Sequence, residues 1–166
     1  MAETAFELDV AELREVARYA AACARTALPI FVAEFPGDRR PCAAVDAAQQ
    51  FADGAGRTKL LRDAAWAAMR AAQEARDGGR PAASDAARAA VGAASAAYLH
   101  PLAKATQVKH ILGSAAHAAR AFQLAAGGDP SVADEHLARF RDAAGAVVVD
   151  VPEALPAGSA RRRAGR

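Results

Sequence analysis

The chain has 166 residues, 53% of them hydrophobic and 24% charged, with a formal net charge of +2. That is the length and composition of one globular domain, which excludes a disordered chain. Near-neutral charge argues against a dedicated nucleic-acid binder, which carries a basic excess on one face. Alanine dominates, with 51 positions against six Phe, two Tyr and one Trp. Alanine has the best helix propensity but buries little apolar surface. An alanine core therefore needs close helix approach and a few large anchors. The candidates are Leu13, Phe31, Phe51, Leu61, Trp66, Leu112, Phe122 and Phe140.

Six short alanine-rich helices follow from the 3.6-residue spacing of apolar positions. The first starts at the N-cap Asp9 and carries Leu13, Val16, Ala20, Cys23 and Ala27 on one face; Pro29 is expected to kink or end it. Pro36-Gly37-Asp38 forms a turn. The second helix begins at Pro41, a favoured first position, and stops at Gly54. The third runs from about Thr58 to Arg76, with Leu61, Ala64, Ala65, Ala68 and Ala72 inward, and Gly78-Gly79 ends it. The fourth runs from Pro81 or Ser84 to about Leu99. The fifth takes Pro101 as an early residue and ends before Gly127-Gly128. The sixth is announced by Asp129-Pro130 and runs to about Ala144. Val147, Val148, Val149 and Val151 suit a short extended segment.

Residues 1–155 thus read as one all-α domain, a single-domain bundle, and 156–166 as a mobile basic tail. The N-terminus lacks a basic region before an apolar one, so no signal peptide is expected. Charges interrupt every apolar run short of a membrane span. Cys23 and Cys42 lack CxxC spacing and read as reduced, buried, small apolar residues of a cytoplasmic protein.

The fifth helix has unexpected polar content. At 100° per residue, Val108, Ile111, Leu112, Ala115, Ala118, Ala119 and Phe122 share a broad apolar arc. Lys104, Gln107, His110, Ser114 and His117 form a stripe along its border, where half-buried polar groups need partners. One reading is a structural hydrogen-bond network. The other is a pocket wall, with His110 and His117 as acid–base groups and Lys104, Gln107, Ser114 and the nearby His100 as ligand-binding residues. His110 and His117 are seven residues apart, about 10.5 Å along a helix, too far to share one zinc. HExxH and paired Glu-x-x-His motifs are absent, as are GxGxxG, GxxxxGK[ST] and GxSxG. No metal and no cofactor is expected. Asp134-Glu135-His136 reads as a solvated helix start, Arg39-Arg40 as a charged loop, and Arg161 to Arg163 as a solvated tail.

Three stretches carry a family resemblance: DRRPCAAVDAAQQFADG, RDAAWAAMRAAQEA and YLHPLAKATQVKHILGSAAHAARAFQLAAG. They resemble the Imm-5-like putative immunity proteins over roughly residues 8 to 150, with ATQxKHxxGSAAHAARA as the most specific string. The resemblance implies a small cytoplasmic helical protein that binds and neutralises a toxin, with no catalytic residues to carry over. Three functions stay open on the residues themselves. They are a binding protein that sequesters a toxin protein or a small-molecule ligand, a small cofactor-independent enzyme of secondary metabolism using His110 and His117, and a structural module. Neither a nucleic-acid nor a membrane partner is expected; alanine-rich faces are compatible with a homodimer.

Overall fold

The computed structural model describes residues 9–98 and 105–144, with side chains described throughout except at 105–111. Among them are six α-helices and one short 3-10 turn: α1 (Val10–Glu34), α2 (Arg40–Ala52), α3 (Lys59–Asp77), α4 (Pro81–Ser95), the turn Ala96–Tyr98, α5 (Ala105–Ala125) and α6 (Pro130–Asp142). No strand occurs among the described residues, so the chain is an all-α bundle. The valine segment and the basic tail lie outside the described residues.

The boundaries follow from local chemistry. Asp9 and Glu12 form a reciprocal capping box at the start of α1, each side chain accepting the other residue's backbone N–H at 2.8 Å. Thr58 and Asp129 cap α3 and α6. Proline stands in the first turn of α2, α4 and α6, where its missing N–H costs nothing. After α2 the chain turns at Gly54 with φ +120°, a conformation that a side chain would strain.

Of the two outcomes expected at Pro29, ending the helix is corrected: α1 continues through it to Glu34. An interior proline costs about 3 kcal/mol. The turn beyond it places Phe31 in the core, almost fully buried, with Phe35 against it at 5.1 Å. Burying a phenyl ring recovers about 1.5–3 kcal/mol, enough to offset most of that cost. By length and composition α1 would also qualify as a membrane span, contrary to the charge-interruption argument. Half of its most apolar window is packed inside the bundle, as in a core helix of a folded domain.

The centre of the bundle is α4, packed against α1, α2, α3 and α5. Its buried positions are alanines and Ser84, and they nearly encircle it, as expected for a helix apolar all round. Small residues let the backbones close in. A Cβ built on Gly92 would lie 3.2 Å from the Ser114 backbone nitrogen on α5. Large anchors sit at the periphery: Leu13, Phe31, Phe51, Leu61 and Phe140 are buried, and Leu112 and Phe122 pack half-buried against the core.

Polar side chains close the remaining backbone groups. Arg14 and Arg18 on α1 donate to the Phe51 and Ala52 carbonyls at 2.6 and 2.8 Å, capping the negative end of α2. Arg57 donates to the Ala97 carbonyl and Tyr98 to the Thr58 carbonyl, tying the loop before α3 to the 3-10 turn. No buried side-chain nitrogen or oxygen among the described residues lacks a partner.

Candidate functional site

The polar stripe expected on α5 divides. Ser114 is fully buried, and its hydroxyl proton lies between the Ala20 and Ala89 carbonyls, 2.9 and 2.8 Å away. It joins α5 to α1 and α4 and exposes no surface to solvent. His117 is half-buried one turn further on, with Nδ1 2.8 Å from Asp85 Oδ1 on α4. His110 and Gln107 lie on α5, but their side chains, like all of Lys104 and His100, lie outside the described residues.

His117 faces an open recess of about 380 Å³ rather than a closed apolar pocket. Arg76 of α3, Asp85 and Arg88 of α4, and His117 and Arg120 of α5 line it. Asp85 is mostly buried and also meets Arg120 Nε at 3.5 Å. With Nδ1 donating to that carboxylate, the imidazole keeps Nε2 without a partner among the described residues.

Another opening lies further along the same half-exposed stripe of α4, beside Val91 and Ser95. It is a groove of about 440 Å³ completed by Arg62, Ala65, Trp66 and Met69 of α3 and by Tyr98. Trp66, expected to anchor the core, is 62% exposed. The register of α3 explains the correction. Five residues on from the buried Leu61, Trp66 points about 140° away from the apolar stripe, while Arg62 and Met69 share its side. Arg62 lies over the Tyr98 ring at 5.6 Å. Arg62 and Arg70 flank Trp66 one turn to either side, with no carboxylate within 4.0 Å of either among the described residues.

Other charged segments serve the fold. The Arg40 guanidinium bridges Asp38 and Glu74, with contacts of 2.6 and 2.5 Å. Its hydrogen bonds hold both carboxyls below their usual range. His136 stacks flat on Phe122 at 3.8 Å, with the Phe140 ring 6.1 Å away. Burial there, with Arg139 nearby, lowers its pKa. Cys23 is buried beside Tyr19, and burial pushes its thiol up to about 11. Among the described residues no three His, Cys, Asp or Glu side chains converge as metal ligands do.

Residues 7–144 match the family described as Imm-5 like putative immunity protein. The chain belongs to this family. The match spans every described helix, so the recess and the groove lie within the family domain. No curated protein and no solved structure shows significant similarity to this Imm-5 like chain. The residues that sequence reasoning missed are Asp85, Arg88, Arg76 and Arg120. A signal for the first two was present: Asp85 and Arg88 are the only charges on an otherwise alanine-lined α4.

Proposed function

We propose that this Imm-5 like protein is a non-catalytic immunity factor that docks a protein toxin on Trp66 and the groove beside it. The observation that carries the reading is the exposed indole of Trp66, held on a regular helix over an apolar groove lined by Met69, Val91 and Tyr98. Tryptophan, tyrosine and arginine are the residues that most often dominate interface energetics, above all where they surround a pocket. Arg62 and Arg70 beside the groove give the partner its chemistry: an apolar side chain inserted next to Trp66, with acidic residues around it. The small-enzyme reading draws on the His117–Asp85 pair, which resembles a base and its orienting carboxylate. Against it, the recess is lined by arginines, and the hydroxyl of the adjacent Ser84 donates to the Ala72 carbonyl.

The test is co-expression of the full chain with the product of the toxin reading frame neighbouring its gene. The wild-type protein is expected to restore growth, and Trp66→Ala to lose protection while keeping its helical circular dichroism. Undiminished protection by Trp66→Ala, or no toxin frame beside the gene, would overturn the proposal.

A further inference from the structure

The recess beside His117 carries more positive charge than its own carboxylate balances. Three guanidinium groups, of Arg76, Arg88 and Arg120, face one carboxylate, that of Asp85. Asp85 is engaged by His117 at 2.8 Å and approached by Arg120 at 3.5 Å. Arg76 and Arg88 have no carboxylate within 4.0 Å among the described residues. Like charges lining one concavity repel, and low-dielectric walls strengthen that field. Seven other described arginines are engaged: Arg14, Arg18 and Arg57 cap backbone carbonyls, and Arg25, Arg40, Arg80 and Arg139 pair with carboxylates; Arg62 and Arg70 beside Trp66 do neither. Arg76 and Arg88 are held toward a shared space with neither duty.

We infer that this recess binds a small phosphate-type dianion, free or as the terminal group of a small ester. Two guanidinium charges beyond the one that Asp85 offsets match two negative charges, not one. Guanidinium forks suit the tetrahedral oxygens of phosphate. A volume of about 380 Å³ holds a phosphate with a short organic group and is at the small end for ligand sites. Asp85 orients His117 and Arg120 and disfavours anions that bring too little charge to outweigh it. This site is separate from toxin docking at Trp66 and stands whether or not that reading holds.

The experiment is calorimetric titration of the full chain at low ionic strength with inorganic phosphate, phenyl phosphate and acetate. Phosphate is expected to bind saturably and roughly tenfold more tightly than acetate. Arg88→Gln and Arg76→Gln should each weaken phosphate about fivefold, and Arg141→Gln on α6 should leave it unchanged. Tighter binding of phenyl phosphate than of phosphate identifies an ester, and equal binding identifies the free ion. Asp85→Asn guards against loss of fold in the arginine variants, because it should tighten phosphate binding several-fold. No saturable phosphate binding, equal binding of acetate, or weaker binding in a folded Asp85→Asn protein would overturn the inference.

Discussion

Replacing Gly92 and Gly113 by alanine tests the account of an alanine-built core, because the two changes are chemically identical and should have opposite signs. Both glycines lie inside helices, where alanine is intrinsically better by roughly 0.5–1 kcal/mol. At Gly113 a new Cβ would meet nothing within 4 Å, so Gly113→Ala should realise that gain. At Gly92 it would lie 3.2 Å from the Ser114 nitrogen and 3.3 Å from its Cα and Cβ. Two of those atoms are helix backbone and the third is the Cβ fixed to it, so none can swing aside. Relief requires α4 and α5 to part by a few tenths of an ångström along their seam. Overpacking of this kind costs about 1–3 kcal/mol, which exceeds the propensity gain. Gly92→Ala should therefore destabilise by about 1 kcal/mol net, and Gly92→Val by about 3 or more. Ser114→Ala should cost about 1 kcal/mol, because the two carbonyls it bonds already accept helical N–H groups and stay satisfied. Each kcal/mol shifts the melting temperature of a domain this size by about 2–4 °C. Urea and thermal unfolding followed by circular dichroism give these values. A Gly92→Ala protein stabilised as much as Gly113→Ala would refute the close-approach argument.

Three other outcomes follow from the polar groups. Cys23 should resist a disulfide-exchange thiol reagent at pH 8 in the native protein and react only after unfolding, since burial holds its thiol up at about 11; rapid native labelling would place it at the surface. His136 has a folded pKa below its ordinary 6.5, so the unfolded chain takes up the proton first as pH falls. Stability contributed by His136 should be intact above pH 6.5 and decline below it, and His136→Leu should flatten that part of the urea-midpoint profile; an unchanged slope contradicts the assignment. The Asp38 carboxyl is lowered by its hydrogen bonds to Arg40, so it stabilises the fold above the ordinary value of 3.8 and loses that effect as pH falls through its lowered value. In Arg40→Ala, carbon-detected titration should find the Asp38 midpoint raised toward 3.8, and no movement would break the link.

Much of the fold was legible because local chemistry sets helix ends. Asp9, Thr58, Asp129, the first-turn prolines and Gly54 mark boundaries through groups within a few residues of each other. Pro29 does not end α1 because its penalty is local, whereas the burial of Phe31 that offsets it depends on the assembled core. Trp66 has the size of a core anchor, but its register lies off the α3 stripe from Leu61 to Ala72, which turns the indole outward. Ser114 and His117 share one polar stripe in sequence but diverge in space. Ser114 meets Gly92 across the α4–α5 seam, and His117 reaches Asp85. That division depends on which helix lies beside α5, and periodicity within α5 holds no information about its neighbours. The arginine recess was hidden for the same reason, since its residues come from α3, α4 and α5.

The central claim, that Trp66 is the docking residue, is tested most directly by its own fluorescence, because the chain contains a single tryptophan. Alone, the protein should emit as a solvent-exposed indole readily quenched by acrylamide. Titration with the neighbouring toxin should shift that emission to the blue and shield it from quenching, saturating at a fixed stoichiometry. Calorimetric binding of the toxin with the emission and its quenching unchanged would contradict the account.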